Sequence, residues 1–263
     1  MSENTTHFDD AAAYDLFMGR WSRGAGSVFL DWLAPPSGAR WLEVGCGSGA
    51  FTAMVLDRCA PATMNAIDPS KSQIDYVCRG PLAQRADFQI ADAQALPFSD
   101  ATFDVVASAL VINFIPDRPR GLTEMRRVAR RSGVVAGYVW DFAAELGPSR
   151  PLRAGMRGVG LEPRGQSGTE DTSLAALRSL FERAGFETIE TRAIDVSLDF
   201  SNFDQYWRAQ TPPLHPNVKA MAALTEKDRA KVIDLARAEL MTRSDGSITT
   251  SSRANAIKAR VPG

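Results

Sequence analysis

The residues of this 263-residue chain with the plainest chemical purpose are Leu42-Glu-Val-Gly-Cys-Gly-Ser-Gly49. A short apolar run, Trp41-Leu-Glu-Val44, reads as a strand and 52–59 as a helix, with glycines at 45, 47 and 49 between them. Such a junction turns tightly and brings backbone close to a ligand with no Cβ in the way. Its spacing is Gly-x-Gly-x-Gly. In the dinucleotide fingerprint Gly-x-Gly-x-x-Gly a further glycine falls where this chain has Ala50. The carboxylate of Glu43 beside the loop repels a phosphate and suits a cationic ligand. A second carboxylate, Asp68, ends the next apolar run, Met64-Asn-Ala-Ile67. In an open parallel sheet ligands cross the carboxyl ends of the strands, so Asp68 is placed to accept from both hydroxyls of a ribose, whereas an isolated Asp before Pro reads as a turn residue. Asp92 closes a third run, Phe88-Gln-Ile-Ala91. It is placed to accept from the exocyclic amine of a purine, with the Ala93 amide at a ring nitrogen.

These groups need a scaffold, and the pattern supplies one. Short apolar runs alternate with amphipathic stretches, as expected of strands wrapped by crossover helices. Further strands are expected at 103–108, 134–140, 188–196 and 247–261, and further helices at 70–78, 120–130, 174–184 and 227–241. Ser70 is placed to cap the first of these helices. The fold class is therefore α/β, Rossmann-like and doubly wound, with a mostly parallel seven-stranded sheet and helical lid insertions. One domain, 1–263, is expected, in which 1–36, 142–170 and 200–245 form a lid over the core 37–141, 171–199 and 246–263. The Gly-, Pro- and Arg-rich stretch 142–170 reads as a mobile loop.

Lys and Arg number 30 against 31 Asp and Glu, and the pI is about 6.2. That balance excludes a surface built to neutralise a nucleic-acid backbone. The longest largely apolar stretch, 105–112, is far short of the roughly 20 residues of a membrane-spanning helix. The acidic start lacks an apolar signal region, so a cytoplasmic location is expected. Cys46, Cys59 and Cys78 fit neither zinc-ligand nor disulfide spacing and read as reduced thiols, with no metal.

Taken together, the glycine loop, Asp68, Asp92 and the run Phe103-Asp-Val-Val-Ala-Ser108 resemble class I S-adenosylmethionine-dependent methyltransferases. The chain is similar to their small-molecule branch, related to the ubiquinone and menaquinone biosynthesis enzymes. The resemblance runs from Arg40 to about Val196, and Tyr14-Asp-Leu-Phe-Met-Gly-Arg-Trp21 looks like a lead-in of that branch. It implies S-adenosyl-L-methionine as cofactor and S-adenosyl-L-homocysteine as product. Glu43, Gly45, Cys46, Gly47 and Gly49 would border the methionine half, Asp68 the ribose, and Asp92 with Ala93 the adenine. Pro69 and Ser70 would flank the adenosine, and the backbone around Ser108 would receive the methionine ammonium.

Methyl transfer asks mainly for alignment and exclusion of water, because the sulfonium is already activated. An acceptor that loses a proton also wants a base. The candidates are His215, Asn113 and Asp141; a loop histidine, a backbone-bonded amide and a loop cap are the competing readings. Arg20 is placed to reach the methionine carboxylate or to make a surface ion pair. Tyr14, Asn113, Phe203, Tyr206 and Trp207 are expected around a small-molecule acceptor, unless the aromatics merely pack the lid. A nucleotide-dependent oxidoreductase and a non-catalytic cofactor-binding regulatory protein are the alternatives. A monomer or a homodimer fits equally.

Overall fold

The computed structural model describes residues 11–212 and 215–263, apart from the side chains of 11–17 and of Pro216. The strands are β1 (Arg40–Val44), β2 (Thr63–Asp68), β3 (Asp87–Ile90), β4 (Phe103–Ala109), β5 (Ala129–Trp140), β6 (Glu187–Phe200) and β8 (Ile248–Arg260), with a two-residue β7 (Met241–Thr242) on β8. Five parallel strands run β3-β2-β1-β4-β5 across the sheet, and two long antiparallel strands complete it in the order β5-β8-β6. This is the expected Rossmann-like sheet plus one short strand. Strand order reverses between β1 and β4, which opens a crevice at their carboxyl ends.

Side-chain alternation explains why the sheet is covered on both sides. Trp41, Val105, Ala107, Tyr138 and Trp140 enter one core, whereas Leu42, Val44, Val106, Val135 and Val139 enter the other. The first core is closed by α1 (Ala11–Leu33) and α2 (Ala50–Arg58), the second by α4 (Arg118–Val128) and α6 (Leu174–Arg183). Glu43, two residues after Trp41, thus shares the face of α2. The helix α3 (Lys71–Cys78) begins after Ser70, whose Oγ accepts from the Gln73 amide.

Two parts differ from the sequence reading. Trp21, Ala25 and Phe29 of α1, expected in the lid, are fully buried in the principal core. The expected loop 142–170 contains α5 (Arg150–Arg157), which packs on α9 (Glu226–Ala238). Gly155 permits that contact: a Cβ there would lie 2.4 Å from the Val232 carbonyl oxygen. With α7 (Phe203–Gln210) and α8 (Pro216–Met221), these helices bury Leu152, Met156, Met221 and Val232 in a cluster of their own.

Candidate functional site

The loop after β1 takes its shape from left-handed glycines at 45, 47 and 49. Gly45 has φ 81° and Gly47 φ 50°, a region that side-chain-bearing residues rarely enter. A Cβ on Gly45 would meet Val111 at 2.5 Å; one on Gly47 would meet nothing within 4 Å and would point into open space. The Gly45 and Cys46 amides both donate to the Ile67 carbonyl, at 2.8 and 2.9 Å, which ties the loop to the end of β2. Asp68 sits there with its carboxylate held from both sides. Gly47 N–H donates to Oδ2 and Ser70 N–H to Oδ1, each at 2.9 Å. An ionised carboxylate accepts about four hydrogen bonds, so each oxygen keeps a lone pair for a ligand.

Burial sets the charge of this corner. Glu43 is 1 % exposed, and burial pushes its carboxyl up to about 8, with Thr52 Oγ1 donating to Oε2 at 2.5 Å in opposition and Asp68 adding repulsion. Burial also raises Asp68, against the pull of the Ser70 and Gly47 amides. The Cys46 thiol is pushed well up by burial and then by Glu43 and Asp68, which makes it a poor nucleophile. Asp92, at the rim, accepts from the Gln94 amide at 2.8 Å and from Gln94 Nε2 at 3.0 Å.

These groups line a cavity of about 350 Å³. Glu43, Gly45, Cys46, Gly47, Asp68, Pro69, Ser70 and Asp92 of the expected set all border it. Four others do not. Gly49 caps α2 and turns toward Val77 and Leu82. Ser108 Oγ donates to the Val44 carbonyl at 3.0 Å beneath the loop, and its neighbour Ala109 lines the cavity instead. Ala93 packs against the second core. Arg20 donates to the Asp199 carbonyl at 3.0 Å and lies over the Phe200 ring.

The expected acceptor and base residues are elsewhere as well. His215 is buried as the cap of α8: its Nδ1 accepts from Asn217 N–H at 3.2 Å, which leaves the proton on Nε2, 3.4 Å from Ser149 Oγ. Asn113 Nδ2 donates to the Ser167 carbonyl at 2.9 Å, and Asp141 Oδ1 accepts from the Ala144 amide at 3.1 Å. Phe203 and Tyr206 pack with Phe200, Leu240 and Ile248, and Trp207 stacks on Phe203 at 5.7 Å. None of these six borders the cavity. The Tyr14 side chain lies outside the described residues.

The far wall holds groups that the sequence reading missed. Ser22 and Arg23 come from α1, Phe51 and Met54 from α2, and Tyr138 from β5. The placement of α1 brings Ser22 and Arg23 here, and Arg23 is one helical turn from Arg20.

Residues 42–137 match the family described as Methyltransferase domain. The chain is 35 % identical over 124 residues to the biotin biosynthesis bifunctional protein of Cellvibrio japonicus, covering 47 % of this chain and 24 % of that protein. To the ubiquinone/menaquinone biosynthesis C-methyltransferase of Paracoccus denitrificans it is 32 % identical over 131 residues, 47 % of this chain and 52 % of the other. The matches thus span about half or less of those two relatives. Phosphoethanolamine N-methyltransferase 2 of Haemonchus contortus, solved with S-adenosyl-L-methionine, shares the fold at 14 % identity and a TM-score of 0.60, covering 99 % of this chain and 59 % of that one. The [4+2]-cyclase SpnF shares it at 21 % identity and a TM-score of 0.56, over 92 % of this chain and 81 % of that one. Segment 42–137 is therefore similar to a methyltransferase domain, within a chain of Rossmann-like fold, in line with the resemblance to class I S-adenosylmethionine-dependent methyltransferases.

Proposed function

We propose that the protein transfers a methyl group from S-adenosyl-L-methionine to a small-molecule acceptor. The observation that carries this reading is Asp68, held by two backbone amides at the end of β2 with one lone pair per oxygen left over, opposite the open flank of Gly47. The residues present suit the cofactor. Asp68 would hold the ribose hydroxyls, Asp92 the adenine amine, and the Gly45–Gly47 backbone would lie along the methionine half. Bound there, the cofactor supplies an electrophilic methyl group on a sulfonium. The chain's part is to orient it and to keep water out, and the apolar wall of Phe51, Met54 and Val111 serves the second task. Glu43 supplies a buried carboxyl beside a cationic ligand.

The same reading takes the chain as one domain acting in the cytoplasm, as a monomer or homodimer, on a small molecule and not on nucleic acid. Among the described residues no helix is long and apolar enough to cross a membrane. The acceptor is bounded by the far wall of the cavity and not by the Phe203–Trp207 cluster.

Calorimetry with S-adenosylhomocysteine and with NAD tests the proposal. The first should bind and the second should not, and Asp68→Ala should weaken binding by about 2–4 kcal/mol through loss of a charged acceptor for two hydroxyls. Tight NAD binding would favour the oxidoreductase alternative, and unchanged affinity in the variant would remove Asp68 from the site. Asp92→Ala should cost less, since one amine bond is lost at an exposed position.

A further inference from the structure

Leu110 borders the cavity in a conformation that its side chain disfavours. It follows β4 with φ 62°, in the left-handed region where a bulky residue is an outlier. Six other side-chain-bearing residues among those described have a positive φ, and all six are exposed, whereas Leu110 is partly buried. Along an extended strand successive residues face opposite sides, yet Ala109, Leu110 and Val111 border the cavity in a row. The kink at Leu110 makes that possible. Its N–H donates to the Tyr138 carbonyl at 2.7 Å, which ties the kink to β5, and Val111 then lies against Gly45 of the glycine loop. A glycine would make the same turn without strain, so the turn alone does not account for a leucine. The side chain packs against the first core, in a cluster with Phe51, Met54 and Tyr138, which also wall the cavity.

We propose that Leu110 determines acceptor specificity, closing the β4–β5 end of the cavity to molecules wider than a single ring at their reacting end. The cavity crosses the strand ends in sheet order, with Asp92 after β3, Asp68 in β2, Gly45 and Gly47 after β1, Leu110 after β4 and Tyr138 in β5. The inference rests on the proposed methyl transfer for one point only: the cofactor takes the β1–β3 end, which leaves the β4–β5 end to the acceptor. A cavity of about 350 Å³ is at the small end for a ligand pocket, and it must hold the cofactor as well. A fused second ring adds about as much carbon as the leucine side chain occupies, so this one side chain decides between the two widths by steric exclusion.

The test uses the full chain loaded with S-adenosylhomocysteine, the variants Leu110→Ala and Leu110→Gly, and two probes, phenol and 2-naphthol, titrated by NMR. Alanine removes the bulk and keeps the left-handed strain, whereas glycine removes both. The ratio of 2-naphthol to phenol affinity should rise about tenfold in both variants, while affinity for S-adenosylhomocysteine stays within about threefold of wild type. The glycine variant should melt about 2–4 °C above the alanine variant as the strain is relieved. An unchanged ratio in Leu110→Ala overturns the proposal, as does a variant that binds neither probe. So does a loss of tenfold or more in S-adenosylhomocysteine affinity in Leu110→Ala, which would set the side chain against the cofactor, and a glycine variant that melts no higher than the alanine one, which would remove the strain. Should the wild-type chain bind no S-adenosylhomocysteine, the cofactor reading falls separately, and the same ratio on the empty protein still decides Leu110.

Discussion

The glycine-loop end of the sheet and the helical layer built from 142–170 and 200–245 are equally rich in suggestive side chains, yet only the first surrounds the cavity. At the loop, function leaves marks that packing does not require: a left-handed Gly47 with open space where a Cβ would be, and a carboxylate held in place by backbone with acceptor capacity to spare. In the helical layer the aromatic residues satisfy one another. Phe203 stacks on Trp207, Arg237 lies 4.3 Å over Phe203, and Tyr206 packs edge-on against Phe200. An aromatic cluster next to a ligand-sized cavity is thus weak evidence for a binding site, because burial accounts for it fully. Backbone geometry and atoms with unused bonding capacity discriminate better.

If ligand binding resides wholly at the loop, Gly47→Val should abolish S-adenosylhomocysteine binding in a protein that still folds. The side chain would fill ligand space, and its left-handed backbone adds about 1–3 kcal/mol of strain, which circular dichroism and melting would register as a modest loss. Retained binding with early melting would make Gly47 a turn residue only.

The electrostatic counterpart concerns Glu43. Its carboxyl sits near 8 in the folded chain against an ordinary 4.5, so between these values the folded state holds a proton that the unfolded state has released. This contribution is fully present below pH 4.5 and lost as pH rises through 8. Stability of the empty protein should fall by up to about 5 kcal/mol across the window, at about 1.4 kcal/mol per pH unit. Glu43→Gln should flatten that slope in urea titrations at pH 5 to 8. A slope unchanged in the variant would place the titration elsewhere.

For the helical layer the expected effects fall on stability alone. Gly155→Val would drive a side chain into the Val232 carbonyl and should cost about 3 kcal/mol, or several degrees in melting temperature. Affinity for S-adenosylhomocysteine should stay within about twofold of wild type, a change below 0.5 kcal/mol. A matching loss of affinity would show that the two regions are coupled.

The smallest effect is assigned to Tyr206, whose buried hydroxyl has no partner among the described residues. Tyr206→Phe should leave turnover unchanged and raise stability by about 1 kcal/mol, since an unsatisfied hydroxyl is removed and the ring is kept. A drop in turnover at unchanged melting temperature would return Tyr206 to the acceptor site.

Much of the sheet was legible because its determinants are local. The runs around Trp41, Met64, Phe88, Phe103 and Val134 became β1 to β5 with ends shifted by at most a few residues; the largest shift is at β5, which begins at Ala129. The strand expected at 247–261 is β8 (Ile248–Arg260), and the cap assigned to Ser70 is made. Helix α5 was hidden because its sequence, Arg-Pro-Leu-Arg-Ala-Gly-Met-Arg, contains a proline and a glycine that ordinarily signal a loop. The proline stands in the first turn, where no amide is needed, and the glycine is required by the neighbouring α9.

What the amino-acid sequence determined by itself is whatever depends on neighbours along the chain: strand periodicity, the Gly45-x-Gly47 turn, and carboxylates at the ends of consecutive strands. Tertiary structure decided the remainder. It put Arg23 and not Arg20 at the cavity, because α1 packs against β6 and α2 with one arginine toward Asp199 and the other at the cavity. It also keeps Glu43 protonated near neutrality, because closing α2 over the sheet strips water from a carboxyl that the sequence alone presents as an ordinary acid.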